Sequence, residues 1–160
     1  KSFDLRQWMD EIVAQMSVLA DDKGLAFEAE VDQRMPKWIV SDPARIRQIA
    51  INLLSNAIKF TEEGYVRLQV RKHGPDAWKL IVADSGVGIP PHMQETIFEE
   101  FRQVDSSSLR KTGGTGLGLA IVRHFALMMG GNVRVKSDLS QGSIFTVILP
   151  LVDGSDSASK

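Results

Sequence analysis

The stretch Asp42-Pro43-Ala44-Arg45-Ile46-Arg47-Gln48-Ile49-Ala50-Ile51-Asn52-Leu53-Leu54-Ser55-Asn56-Ala57-Ile58-Lys59-Phe60-Thr61 reads as a helix with its start and its faces written in. Asp42 before Pro43 is a helix start, with proline at the first helical position. The helix runs to about Phe60 and closes at Gly64. On a wheel at about 100° per residue, Ile46, Ile49, Ala50, Leu53, Ala57 and Ile58 share one side. Arg45, Gln48, Asn52, Asn56 and Lys59 fall on the other, in a stripe roughly 80° wide. A plain solvated face favours Glu and Lys, whereas Asn is a poor interior helix residue. Two readings of the stripe stand. It is a polar face carrying two tolerated Asn, or a ligand stripe in which an amide oxygen serves Mg²⁺ and Lys59 reaches phosphate oxygens.

Upstream, Leu5, Trp8, Met9, Ile12, Val13, Met16 and Leu19 recur at helical spacing. Asp4 is the expected N-cap, with Gln7 completing a capping box, and Gly24 stops the helix. Ala26 to Val31 and Trp38 to Val40 read as short strands. Downstream, Val66, Leu68 and Val70 alternate with Arg67, Gln69 and Arg71, as in a half-buried strand. The turn Gly74-Pro75-Asp76 joins it to a second strand, Trp78 to Ala83, as a hairpin. Asn132 to Ser137 and Ser143 to Leu149 form two more strands around Ser140-Gln141-Gly142. This order predicts a two-layer α/β sandwich: a mixed, mostly antiparallel sheet of about five strands with three main helices on one face.

Two further segments carry polar chemistry. In Lys111-Thr112-Gly113-Gly114-Thr115-Gly116-Leu117-Gly118 the glycines lead directly into an apolar helical run that continues to Met129. Backbone N–H groups at a helix start suit an anion, and glycine permits close approach; a simple turn is the competing reading. Asp84-Ser85-Gly86-Val87-Gly88-Ile89-Pro90 follows a strand. A carboxylate at that strand end can accept a hydrogen bond from an exocyclic amine, with Gly86 and Gly88 passing close to a planar base. Asp-Ser-Gly is also ordinary turn chemistry. Phe98 and Phe101 are spaced to pin one end of a polar, basic segment, Gln103 to Lys111, which reads as a lid over a polyphosphate or as a plain connection. His73, His92 and His124 have no metal-ligand spacing and no triad partner, and read as surface histidines.

Composition bounds the rest. The 160 residues, 43% hydrophobic and 24% charged, suffice for one domain with a core. A net charge of −1 gives no pointer to nucleic acid. With no cysteine there is no disulfide or thiolate site, which fits a reducing compartment. No apolar run approaches the ~20 residues of a spanning helix. The chain opens without an initiator Met and is expected to be a piece of something longer. The expected domain is 1–152, with 153–160 a disordered tail or linker.

Taken together, the segments resemble the conserved boxes of sensor histidine kinases. Asn52-Leu53-Leu54-Ser55-Asn56-Ala57-Ile58-Lys59-Phe60-Thr61 resembles the asparagine box, Asp84 to Ile89 the first glycine box, and Phe98 to Phe101 the phenylalanine box. Gly114 to Leu119 resembles the second glycine box, and Gln141-Gly142-Ser143 the final glycine turn. The blocks occur in the family's order, from about Phe3 to Pro150. The resemblance implies the Bergerat ATP-binding fold, shared with gyrase and MutL, and ATP with Mg²⁺ as cofactors. It implies that Asn56 ligates Mg²⁺ with Asn52 beside it, and that Lys59 and Arg102 approach the phosphates. Asp84 would bind the adenine amine, with Gly86 and Gly88 flanking the base and Ile89 and Phe60 walling it. Gly114, Thr115, Gly116, Leu117 and Gly118 would line the phosphates, and Ser143 would complete the nucleotide site.

Two departures shape the functional expectation. Family members transfer the γ-phosphoryl group to a histidine in a His-Glu/Asp-Leu-Arg motif on a dimerising hairpin, and no such motif is present. The resemblance therefore implies a catalytic half whose partner is an upstream dimerisation and phosphoacceptor domain, with a response regulator reached indirectly. It also implies a monomeric fragment and a cytoplasmic location, whether or not the parent is membrane-bound. Gyrase- and MutL-type relatives carry a Glu general base where this chain has Asn52, so hydrolysis should be slow. The alternatives are an ATPase or serine-kinase relative of the same fold, or a nucleotide-binding module without kinase activity.

Overall fold

The structure is a computed structural model that describes residues 1–99 and 118–155. Its elements, in chain order, are β1 (Ser2–Asp4), α1 (Leu5–Asp22), β2 (Ala26–Val31), β3 (Trp38–Val40), α2 (Pro43–Lys59), β4 (Tyr65–His73), β5 (Ala77–Asp84), a single 3₁₀ turn (Pro91–Met93), α3 (Gly118–Met128), β6 (Asn132–Asp138) and β7 (Gly142–Pro150).

β2, β4, β5, β7 and β6 lie in that order in one five-stranded sheet. The β2–β4 pair is parallel and the other three pairs are antiparallel. Strand alternation sorts the side chains. Val66, Leu68, Val70, Trp78, Leu80, Val82, Phe145, Val147 and Leu149 are buried on one face. The three helices bury their apolar stripes against that face, giving two layers around one core. Ile46, Ile49, Ala50, Leu53, Ala57 and Ile58 of α2 are all buried, as the wheel requires.

The helix ends follow from local chemistry. Asp42 accepts from the N–H groups of Ala44 and Arg45, both at 3.1 Å. Asp4 accepts from those of Arg6 and Gln7. Gln7 thus contributes its backbone rather than the side-chain half of a capping box. At the C-terminus of α2, Lys23 Nζ donates to the carbonyls of Ile58 and Lys59 at 2.8 and 2.9 Å. A cation there meets the negative end of the helix dipole.

β3 pairs with β1 as a separate two-stranded ladder, apart from the main sheet. Residues 152–154 run beside it. Val40 N–H donates to Val152 O at 2.8 Å, Asp153 bridges to Ile39, and Gly154 N–H donates to Trp38 O at 2.9 Å. The free edge of β3 supplies backbone partners to whatever runs beside it, and residues 152–154 take them. Residues 156–160 of the expected tail lie outside the described residues.

Candidate functional site

Asp84 ends β5 at the middle of the sheet, opposite Val66 of β4 and Ser143 of β7. It is 8% exposed. Burial raises its pKa above the ordinary carboxylate value, opposed by hydrogen bonds from the backbone N–H groups of Gly86 and Ser143. The Gly86 bond measures 2.9 Å. A carboxylate so held is a fixed acceptor at the mouth of the core.

The loop after Asp84 is fastened on both sides. Toward α2, Val87 N–H donates to Phe60 O at 3.3 Å. A Cβ on Gly86 would collide with Phe60 O and stand 2.8 Å from Thr61 Oγ1. Thr61, fully buried, donates its hydroxyl to Ala57 O at 2.7 Å. Toward the β6–β7 turn, Ser140 N–H donates to Val87 O at 2.9 Å and Ile89 N–H donates to Ser137 Oγ at 2.8 Å. Gly88 has φ +77°, and a Cβ there would collide with Asp138 O. Gly86 and Gly88 are thus required where the loop meets the protein's own backbone, so the close approach that their smallness permits is to the chain itself. Asp84, Gly86, Gly88, Ile89, Phe60 and Ser143 come together as one bonded unit.

The polar stripe of α2 divides in two. Its first half packs on α3. The Arg45 guanidinium lies over the Phe125 ring at 5.7 Å. Asn52 Nδ2 donates to Gly118 O at 3.2 Å, while Asn52 Oδ1 accepts from Gln48 Nε2 at 3.0 Å. The second half, Asn56 and Lys59, is half-buried, and neither side chain has a hydrogen bond or ion pair among the described residues. An unengaged amide oxygen and an unengaged ammonium one turn apart are the polar groups that α2 leaves for a ligand.

Ile97 and Phe98 are buried, and Phe98 meets Phe145 edge-on at 6.0 Å between centroids. The apolar anchor expected at Phe98 is therefore in place. Arg102, Gly114, Thr115, Gly116 and Leu117 lie outside the described residues, as do Phe101 and the expected lid. His73, His92 and His124 are exposed, as expected of surface histidines.

Sequence reasoning missed Ser137, Gln94 and Lys23. Gln94 Nε2 donates to the carbonyls of both Ile89 and Ser137, each at 2.9 Å, tying the loop to β6. Ser137 had a readable signal: it continues the inward series Val133, Val135, and a hydroxyl at a core-facing strand position needs partners. Lys23, and Gln94 in its bond to Ser137, act across long sequence separations and leave no local trace.

Comparison with known proteins agrees with this architecture. BarA, a signal transduction histidine-protein kinase of Escherichia coli K12, is 39% identical over 147 residues, covering 89% of this chain and 16% of BarA. The circadian input-output histidine kinase CikA of Synechococcus elongatus is 49% identical over 111 residues, covering 69% of this chain and 15% of CikA. The chain thus spans about a sixth of the length of these relatives. Among solved structures, full-length ShkA in complex with AMPPNP superposes with a TM-score of 0.84 at 35% identity, over 96% of this chain and 31% of ShkA. The nucleotide-free catalytic domain of histidine kinase ThkA gives 0.79 at 27% identity, over 94% of this chain and 96% of that domain. A family model matches residues 41–153, and by that match the chain belongs to the histidine kinase-, DNA gyrase B- and HSP90-like ATPases.

Proposed function

We propose that this chain binds ATP with Mg²⁺ and donates the γ-phosphoryl group to a histidine on a separate dimerisation and phosphoacceptor domain, within two-component signalling. The observation that carries the reading is the division of polar groups on and around α2. Asn56 and Lys59 are half-buried in the last turns of α2 with no side-chain partner among the described residues, and the fixed acceptor Asp84 is bonded into the loop that meets the same helix end. The C-terminal end of α2 thus brings phosphate-binding groups beside a base-binding one. Asp84 accepts from the adenine amine, with Phe60 and Ile89 as walls and Ser143 beside the carboxylate. Lys59 and Arg102 neutralise phosphate charge, and the backbone from Gly114 through Thr115, Gly116 and Leu117 to Gly118 lines the phosphates.

The residues present suit magnesium carried in on a nucleotide. Among the described residues no group of three or more His, Asp or Glu could hold a metal by itself. The Asn56 amide oxygen offers one neutral hard ligand, and Mg²⁺ ordinarily takes the rest from phosphates and water. When bound, the ion neutralises charge on the phosphates. The chain's own contribution is positioning and charge complementarity, with the acceptor histidine presented by the partner.

Transfer to a protein is favoured over hydrolysis by water. Asn52 holds the position where a hydrolytic relative would carry a Glu base. An amide takes no proton, and its donor is committed to Gly118 O. The relatives' names support the kinase reading, and the small share of their length that this chain covers fits a phosphoacceptor on another domain. A response regulator downstream and a cytoplasmic location belong to the proposal. The test is to incubate the chain with ATP labelled at the γ-phosphate, with and without a histidine-bearing dimerisation domain. Acid-labile label on the added domain supports the proposal. Label released as inorganic phosphate at one rate in both mixtures overturns it.

A further inference from the structure

Ser137 lies on the inward face of β6 and is 8% exposed. Its hydroxyl has three partners: Ile89 N at 2.8 Å, Gly142 O at 2.9 Å and Ser143 Oγ at 2.7 Å. A hydroxyl has one proton and two lone pairs. The Ile89 amide can only donate, so it occupies one lone pair. The Gly142 carbonyl can only accept, so it takes the proton. All three contacts hold together only if Ser143 donates its own proton into the remaining lone pair. That fixes the Ser143 hydroxyl as a donor toward Ser137, and only lone pairs remain for its other neighbours. Ser143 is the strand partner of Asp84.

We propose that Ser137 is a positioning residue for base selection: it commits the Ser143 proton to the protein interior, so that Asp84 and Ser143 meet a nucleotide base with acceptors alone. Such a site favours a base bearing an amino group over one bearing an oxo group at the same position. A Ser143 hydroxyl free to rotate would serve both, accepting from the amine or donating to the oxygen. The proposal rests on Asp84 being the base-binding end of the site. Ser137 also holds Ile89, but loosening that wall weakens every purine nucleotide alike, so the ratio between two bases isolates the hydroxyl's role.

The test measures the dissociation constants of ATP and of inosine triphosphate, which carries the 6-oxo group, by calorimetry with Mg²⁺. The proteins are the 160-residue chain and its Ser137→Ala, Ser137→Thr and Ser143→Ala variants. The wild type should prefer ATP, and Ser137→Ala should reduce that preference about tenfold, the equivalent of one net hydrogen bond. Ser137→Thr keeps the hydroxyl and should retain the preference. Ser143→Ala leaves the Ile89 acceptor intact and should also reduce it, which decides the matter if Ser137→Ala does not fold. A wild type that prefers ATP, with the ratio unchanged in Ser143→Ala and in any folded Ser137→Ala, overturns the role of Ser137 while leaving the nucleotide reading in place. A wild type that binds neither nucleotide overturns both.

Discussion

Asn52 Nδ2 donates to the carbonyl oxygen of Gly118 at 3.2 Å, joining the middle of α2 to the first residue of α3. This bond sets where the glycine-led helix begins relative to the Asn56–Lys59 half of the stripe. Asn52→Ala should cost about 1 kcal/mol, the net worth of one such bond. Asn52→Asp should cost more, because it sets a carboxylate against a carbonyl oxygen with no donor between them. Urea denaturation of the two variants checks the order; Asp milder than Ala would sink it.

Gly142 has φ +97°, and a Cβ there would collide with the Asp84 carbonyl and stand 2.8 Å from its carbon. Gly74 also has positive φ, at +68°, with nothing within 4 Å of its Cβ position. Both therefore incur backbone strain as alanine, about 1–2 kcal/mol, but only Gly142→Ala adds a collision with backbone that cannot rotate away. Thermal melts should rank Gly142→Ala well below Gly74→Ala. Equal losses would mean that the β5–β7 pair can spread at no cost.

Asp84 carries a pH signature. Its folded pKa is raised by burial, so its contribution to stability is fully present below the unfolded value and is lost as pH rises through the folded one. At neutral pH the buried charge is a burden, and Asp84→Asn should melt higher than wild type. That advantage should shrink on acidification through the Asp84 pKa. Asp32 is shifted the other way, chiefly by its hydrogen bond with Arg34, but it is common to both proteins and cancels in the difference. The same variant should weaken ATP binding far more than tripolyphosphate binding. A variant that is less stable at neutral pH, or that loses both ligands equally, contradicts the assignment.

Asn56 separates ligand from fold. Its side chain has no hydrogen bond among the described residues, so Asn56→Ala should change the melting temperature little. Mg²⁺-dependent ATP binding should fall at least tenfold, as expected for a lost ligand to a charged group. Calorimetric titration with and without Mg²⁺ distinguishes this from a general loss of nucleotide binding.

The elements whose signal is periodic were legible. The α2 wheel, the alternation of Val66, Leu68 and Val70, and the acidic N-caps Asp42 and Asp4 are all local patterns, and each produced the expected element. The β1–β3 ladder was not legible as a unit, because three-residue strands have too little alternation to show a partner. The parallel β2–β4 pairing is likewise set by the path of β3 and α2 between those strands rather than by either strand. At the site, residue types carry no record of their neighbours. Asn52 and Asn56 look alike in sequence; one is consumed by Gly118 and the other is left unengaged. Gly86 and Gly88 signalled close approach without saying to what.

Gly86, Gly88 and Gly142 all press against the chain's own backbone, and Val87, Ile89 and Ser140 are hydrogen-bonded across the same loops. Ordering a residue costs about 1–2 kcal/mol, and here that cost falls on folding rather than on binding. The loop around Asp84 is thus built on folding, before any ligand arrives.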